Sequence, residues 1–481
     1  MLNAQDLQAL GLPRDKRVLP LAMKAVHVAL SHGADEGAMR AAIRRLCLDP
    51  AGMTADPVLG EVAEVLAALW PDGRGAAYTP RDSPAPWQQW GQVHVEAEAI
   101  QQMKNACALP VAVRGALMPD AHAGYGLPIG GVLAVRSAVI PFAVGVDIAC
   151  RMRLSVLDWP VASLQTRREA LVEALETETS FGVGAGFTGA ARRQHAVMDE
   201  DWGMLEPTGV QKDKAWKQLG SSGGGNHFAE FGELQLGEAA TIGGVRLEPG
   251  RYLALLSHSG SRGAGEAVAT HYSQLAMGLH PSLPENLRHL AWLDLAGEPG
   301  QAYWAAMELM GRYASANHEL IHRHILAHLG AAELTHVENH HNFAWKEEHS
   351  GEQVIVHRKG ATPAGAGVQG VVPGSMGTPG FVIQGRGNEA ALSSCSHGAG
   401  RLMSRTAAFR SIRPEEVARY LREHGVELLS GGLDEAPQAY KDINAVMAGQ
   451  ADLVDILARF VPRLVKMAPG SGARRFGKRR R

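Results

Sequence analysis

Ser393 to Arg405 reads S-S-C-S-H-G-A-G-R-L-M-S-R. One histidine, His397, precedes three small residues, Gly398, Ala399 and Gly400. Two arginines, Arg401 and Arg405, follow four residues apart. Small side chains bare the backbone, so a phosphate can approach closely and be held by N–H groups. With a helix starting near Gly400, the two arginines become i, i+4 neighbours on one face. The stretch then presents a nucleophile-capable imidazole beside a cationic, amide-rich pocket. The same residues also spell a Gly-rich loop, a helix start and an exposed histidine, and Gly-rich turns are common. The choice between these falls to the rest of the chain.

A chain of 481 residues allows one large catalytic domain or two to three smaller ones. Hydrophobic residues make up 46%, enough for a large core. Glycine is enriched, 56 of 481 residues, where roughly 7% is typical. The glycines gather with His, Asn, Ser and Arg, which suits loops wrapped closely around a ligand. The 47 Lys and Arg nearly balance the 49 Asp and Glu, for a net charge of −2. A globally basic nucleic-acid coat is thereby excluded, and any anion site must be a local patch. The tail Ala473 to Arg481, A-R-R-F-G-K-R-R-R, is such a patch. It is expected to be a disordered, solvated charge run that could add non-specific affinity for RNA. Four cysteines (Cys47, Cys107, Cys150, Cys395) make no disulfide framework and fit a reducing cytoplasm. The N-terminus lacks the basic and apolar regions of a signal peptide. No apolar run reaches about 18 residues, so no transmembrane helix is expected.

Residues 1–70 read as a helical extension. Met39, Ile43, Leu46 and Cys47 fall on one helical stripe, as do Val58, Val62, Val65, Leu66 and Leu69. A Pro/Gly-rich linker is expected over 71–91. From residue 92 the spacing predicts a helix over Val93–Ala106 and a strand over Val111–Leu117. A loop holding Asp120 and His122 comes next. Leu164–Glu178 reads as helix, Leu219–His227 as a Gly-rich loop, and Tyr252–Leu256 as a strand leading to His258. A long helix is expected over Gln301–Leu329 and a strand over Val354–His357. Loops are expected over Gly360–Gly387, and helices near Pro414–His424 and Asp452–Val461. Strands and helices alternate irregularly between long Gly-rich loops. That pattern predicts a mixed α/β (α+β) core with a deep loop-lined cleft, not a tidy Rossmann fold.

Asp147 and Cys150 form D-x-x-C, and His227, His258 and His341 each sit at a strand end or in a Gly-rich loop. Such a hard/soft set suits Mn²⁺, Zn²⁺ or Fe²⁺, although spacing alone leaves open whether the five converge. Gly220–Gly225 lacks the G-K-[S/T] ending of a P-loop, yet its amides could cradle phosphate. Ser261–Arg262 and Arg358–Lys359 offer further anion partners. A rival lies on the long helix, where His318-Glu319-Leu320-Ile321-His322 is H-E-x-x-H and His328 stands at the spacing of a third zinc ligand. Ile325 occupies the glycine of the fuller pattern. An uninterrupted helix turns His328 well off the face of His318.

Together, several stretches resemble the RtcB-type RNA ligase family, the GTP-dependent RNA-splicing ligases. They are M-P-D-A-H-A-G-Y-G-L-P-I-G-G, G-V-D-I-A-C-R-M, L-G-S-S-G-G-G-N-H-F-A-E-F, H-S-G-S-R-G, N-H-H-N, H-R-K-G-A, P-G-S-M-G-T and S-H-G-A-G-R-L-M-S-R, in this order over about 92–467. The resemblance implies an RtcB-like catalytic domain over 92–467, with 468–481 as a basic tail. It implies that His397 takes GMP from GTP as a phosphoramidate. Asp147, Cys150 and His227 match the ligands of one Mn²⁺. Cys150, His258 and His341 match those of a second, with Cys150 bridging. Asn226, His227, Phe228, Ala229, Glu230, His341, Asn342, Pro373, Gly374, Ser375, Met376, Gly398, Ala399, Gly400 and Lys466 match guanylate-contacting positions. Gly380 stands where many members carry a nucleotide-contacting serine. Asp120 falls in another motif of the active-site region.

The implied activity joins RNA 3′-phosphate or 2′,3′-cyclic phosphate ends to 5′-hydroxyl ends, in RNA repair or tRNA splicing. An archease-like activator is a possible partner. A neutral imidazole can attack phosphorus near neutral pH, and divalent ions neutralise the developing charge. The K-x-D-G motif of lysine-based ligases is absent. Two departures stand out, Ala149 and Arg151 in place of the two glycines of the family's D-I-G-C-G, and an arginine beside Cys150 could touch phosphate or RNA. A zinc hydrolase built on His318, Glu319 and His322, and a non-catalytic GTP- or RNA-binding relative, are the alternatives.

Overall fold

A computed structural model of the protein describes residues 2–13, 15–69, 78, 80–81, 83–91 and 95–469. The expected basic tail lies outside them from residue 470 onward. Among the described residues no helix is long and apolar enough to cross a membrane.

The N-terminal extension is helical as expected. Its helices span Ala4–Ala9, Val18–Ser31, Glu36–Leu48 and Gly60–Leu69. Asn3 and Asp6 form a capping box on the first, and Asp35 caps the third through the Ala38 N–H. The Met39, Ile43, Leu46 and Cys47 stripe is buried against Leu7, Val26 and Leu66. Val58 lies outside its expected stripe and is 38% exposed. This core draws only on residues 2–66.

Strand pairing starts inside the expected linker. Trp87–Gln89 pairs in parallel with Ala112–His122, at the edge of a five-stranded sheet. Ile129–Val135, Glu352–Lys359 and Asn342–His349 complete it, all antiparallel. Asp120 and His122 are therefore on a strand, not in a loop. The helix Ala97–Cys107 precedes that strand and packs Met103 and Cys107 into the core beneath it.

The larger sheet has strands in the order Glu333–His340, Arg151–Leu157, Gly250–Ser259, Phe228–Leu236, Val454–Met467, Gly380–Gly385, Gln369–Val372. Its two ends come back together, where the Val371 N–H donates to Asn339 Oδ1 at 2.7 Å. The result is nearly a closed barrel. One cluster takes a residue from each strand, including Leu154, Leu234, Leu256, Val337, Val371, Val382 and Phe460. Burying each such side chain stabilises the fold by about 1.5–3 kcal/mol. The long helix, Glu298–Leu329, packs Ile321 and Ile325 against the outer face with Phe231, Leu253 and Leu255.

Two expectations are corrected here. Asp452–Val461 is not a helix, since Val454–Met467 is an inner strand paired on both sides. Leu453, Leu457, Phe460 and Val461 carry helical spacing, but Val454, Ile456, Val461 and Val465 are β-branched. Burial over Ala458, Arg459 and Phe460 alternates as in a strand, and Pro462 sits at a register shift where a missing N–H is tolerated. Gly360–Gly387 is not loop throughout, for it contains the strands Ala361–Pro363, Gln369–Val372 and Gly380–Gly385. Glycines between short apolar runs hide their period of two.

Candidate active site

Strand register gathers the Cys/His set at one end of the barrel. Cys150 immediately precedes Arg151–Leu157, and His227 immediately precedes Phe228–Leu236. His258 is the penultimate residue of Gly250–Ser259, and His341 follows Glu333–His340. Met152 and Phe228 both pair with His258, and His340 pairs with Arg151. These residues, far apart in sequence, thus end at one level of adjacent strands.

The side chains form a continuous line. Asp147 Oδ2 lies 3.1 Å from His227 Nε2. Cys150 Sγ lies 3.4 Å from His227 Nε2 and 3.1 Å from His258 Nε2. His258 Nε2 lies 3.3 Å from His341 Nε2. All but Asp147 are buried. His258 Nδ1 donates to the Asn226 carbonyl at 3.1 Å, which leaves the Nε2 lone pair facing inward. Burial, then the neighbouring histidines, hold the His258 and His341 rings well below the usual imidazole range, so both are neutral. Burial and Asp147 push the Cys150 thiol well up. Two neutral imidazoles whose Nε2 atoms face each other at 3.3 Å, beside a thiol and a carboxylate, fit a divalent cation, which would also favour the Cys150 thiolate. Cys150, His227 and His258 satisfy the spacing of a metal cluster on their own. Asp147 and His341 flank them. Asp147 is oriented by the Ser261 N–H at 3.0 Å, and a Cβ at Gly260 would fall 2.2 Å from the Asp147 carboxylate.

His397 follows the short strand Ser394–Ser396. Its Nδ1 donates to Asp120 Oδ2 at 2.7 Å. The same oxygen accepts the backbone N–H of His397 at 3.0 Å and of Gly398 at 3.3 Å. Asp120 is fully buried. Burial works to raise its carboxyl, but the His397 hydrogen bond and charge, with Lys441, hold it below the usual carboxylate range. With Nδ1 committed to Asp120, Nε2 carries the lone pair on the cavity side. The His397 ring centroid lies 5.0 Å from that of His341, beside the metal cluster. Gly400 has φ +72°, and a Cβ there would meet the Asp120 carbonyl at 2.1 Å, so the loop closes on its partner strand only with glycine.

A cavity of about 720 Å³ opens at His397. Asn226, Phe228, Glu230, His341, Pro373–Met376, Gly380 and Gly398–Gly400 all line it, whereas His227, Ala229, Asn342 and Lys466 do not. Ala229 points to the opposite face of its strand. Asn342 instead accepts the Gly360 N–H at 2.8 Å and donates to the Asp147 carbonyl at 3.2 Å. Lys466 Nζ donates to the Leu175 and Glu176 carbonyls, capping the helix Arg168–Glu178, while Met467 takes the cavity face. Glu230 is buried, which pushes its carboxyl well above the usual range.

Several expected anion contacts are already committed. Ser404 caps a helix starting at Arg405, so Arg401 lies outside it. The two arginines meet instead at Glu435, and Arg405 also reaches Asp434 Oδ2 at 2.6 Å. These acidic partners and Tyr440, which bonds Glu435, lie 29 or more residues away and carried no sequence signal. Arg151 is buried in an ion pair with Glu338, facing away from the cavity. Arg358 is buried on Glu347 at 2.6 Å and on the Leu392 carbonyl at 2.9 Å, where it fixes the approach to His397. Arg262 spans to Ser221 Oγ and the Gly182 carbonyl. Cys395 packs in the core.

The H-E-x-x-H helix does not form a zinc site. His318 and His322 are buried against Ser257 Oγ at 2.7 and 2.8 Å. Glu319 points outward to His195 and Arg323, and His328 to Glu178.

A family model described as "tRNA-splicing ligase RtcB" matches residues 102–467. The chain belongs to the RtcB family. The RNA-splicing ligase RtcB of Escherichia coli (strain K12) is 35% identical over 402 residues, covering 78% of this chain and 95% of the relative. RNA-splicing ligase RtcB of Mycobacterium tuberculosis is 34% identical over 430 residues, covering 75% and 98%. The tRNA-splicing ligase RtcB of Thermococcus kodakarensis is 30% identical over 455 residues, covering 77% and 93%. The N-terminal helices lie outside the RtcB family match. At Ala149, the first departure from the RtcB pattern, φ is +57°, a left-handed conformation that costs an alanine roughly 1–2 kcal/mol. At Gly380, a serine Cβ would lie 3.2 Å from Pro373 Cα, a tight fit.

Proposed function

We propose that this RtcB-family protein is a GTP- and Mn²⁺-dependent RNA ligase joining 3′-phosphate to 5′-hydroxyl ends. The observation that carries the reading is His397, held through Nδ1 by buried Asp120 with Nε2 toward a cavity beside the Asp147/Cys150/His cluster. Asp147, Cys150 and His227 would hold one ion, and Cys150, His258 and His341 a second. Bound there, divalent ions supply Lewis-acid polarisation of phosphoryl oxygens and neutralise developing charge.

His397 Nε2 attacks the α-phosphorus of GTP, the bond to the bridging oxygen breaks, and pyrophosphate leaves. Asp120 stabilises the positive charge that develops on the ring. An oxygen of the RNA 3′-phosphate then attacks the same phosphorus, the N–P bond breaks, and the imidazole recovers its lone pair. The RNA 5′-hydroxyl attacks the 3′-phosphorus, GMP departs, and the hydroxyl proton is lost. A 2′,3′-cyclic phosphate is first opened by water to the 3′-phosphate. Glu230, at the cavity wall, suits the N–H edge of guanine. The small residues Gly398–Gly400 leave room for the nucleotide.

The four buried cysteines fit a reducing setting, and a cytoplasmic location, RNA partners in repair or tRNA splicing, and an archease-like activator belong to the same proposal. The test is incubation with α-³²P-GTP and Mn²⁺. Wild type should form an acid-labile, alkali-stable protein adduct, and His397→Ala none. An adduct of wild-type intensity on His397→Ala would refute the nucleophile. GTP binding without any adduct would indicate a non-catalytic relative.

A further inference from the structure

Tyr125 is 69% exposed, yet its loop is held on every side. The Ala123 N–H donates to Glu96 Oε2 at 3.3 Å. Gln102 grips Gly124 twice, accepting its N–H at 3.0 Å and donating to its carbonyl at 2.7 Å. Buried Lys359 donates Nζ to the Tyr125 carbonyl at 2.5 Å. The Tyr125 ring stands edge-on to His289 at 5.8 Å, and His289 lies 4.6 Å from Phe142. Lone exposed aromatics on mobile loops are ordinary. A clamped loop that holds a ring at the mouth of the cavity containing His397 is not explained by packing. Its wall also carries Glu96, Glu98 and His122, and burial lowers His122 to about 4, so the ring is neutral. The cations of the cavity wall, Arg401 and Arg405, are engaged by Asp434 and Glu435, so the part of the wall around Tyr125 sets an exposed aromatic plane beside carboxylates, which suits a nucleobase better than a phosphodiester.

We propose that Tyr125 is a stacking platform for the terminal base of an RNA end, and so a positioning residue for joining. The inference rests on the ligase reading above. Either RNA terminus presents the same chemistry, a base with a free π-face, and the two are separated by the assay. Pre-ordering the loop means that little conformational freedom is lost when a base stacks.

The test uses full-length protein as wild type, Tyr125→Ala and Tyr125→Phe. Three quantities are measured: the rate of His397 labelling by GTP without RNA, the KM of a 3′-phosphate oligonucleotide in forming its guanylylated end, and the KM of a 5′-hydroxyl oligonucleotide in sealing a pre-guanylylated strand. Tyr125→Ala should label at the wild-type rate while raising one KM by about tenfold or more. Tyr125→Phe should restore that KM to within about twofold, because it keeps the ring. A raised KM in the second assay assigns the platform to the 3′ end, and in the third to the 5′-hydroxyl end. Unchanged KM values in both, with normal labelling, overturn the inference and leave the ligase reading intact. Slowed labelling in Tyr125→Ala, or a Tyr125→Phe equally defective, also overturns it. A wild type that never labels overturns the ligase reading, and this inference with it.

Discussion

At the scale of single residues the centre of the site is the Asp120–His397 pair. One carboxylate oxygen accepts three N–H donors and thereby fixes the tautomer, ring plane and loop position of the histidine. Asp120→Asn should keep the loop but remove the charge that balances the ring as it becomes cationic. The single-turnover rate of His397 labelling should drop by roughly 10²–10⁴, with little change in the GTP concentration for half-maximal rate. A loss confined to GTP affinity would contradict this role. His397 was legible from its Gly-rich surroundings, and Asp120 was legible only as a member of another motif of the active-site region. Their bond spans 277 residues, and no local window carries it. Arg401 and Arg405 show the converse. Their charge was plain in the sequence, but the carboxylates that engage them were not.

At the scale of elements the strands matter more than the helices. Long, strongly periodic helices such as Glu298–Leu329 and Pro414–Glu423 lie within a few residues of where the pattern predicts them. Short strands between glycines, and the strand Val454–Met467 with its helix-like leucine spacing, did not announce themselves. Pairing on both sides decided that strand, since tertiary context overrides weak local propensity. The N-terminal helices form the most self-contained element, with a core built only from residues 2–66. We propose that they are an accessory module. A chain lacking residues 1–77 should label on His397 within about twofold of the full-length rate, with some loss of thermal stability as the surface around Pro281 is uncovered. A soluble truncation that never labels would make the module part of the catalytic unit.

At the scale of the whole molecule, histidines kept neutral by burial make stability depend on pH. Burial lowers His122 and His357 to about 4 and His318 to about 3. Their unfolded values lie near 6.5, so below that pH the unfolded chain binds more protons than the folded one. Stability should hold steady above about pH 6.5 and fall progressively as pH drops toward 4. Thermal midpoints at constant ionic strength would check this, and a flat midpoint between pH 7 and 5 would count against it.

The sequence by itself determined the chemical inventory of the site: a histidine among glycines, an Asp/Cys/His set at strand ends, and a family pattern running through most of the chain. Residue types and short-range spacing are local, and so can be read without coordinates. Only the tertiary structure decided which of these groups meet. It joined Asp120 to His397, drew Cys150, His227, His258 and His341 to one level of the barrel, and turned Lys466 and Arg151 away from the cavity. It also split Glu319 from His318 and His322. The meetings at the barrel end follow from strand register and the alternation of side chains across a sheet, where a one-residue shift moves a side chain to the other face. The split of Glu319 follows from the helix turning it off the buried face of His318 and His322. Register is set between segments well separated along the chain, such as Met152 with His258 and His340 with Arg151, beyond the reach of any single stretch.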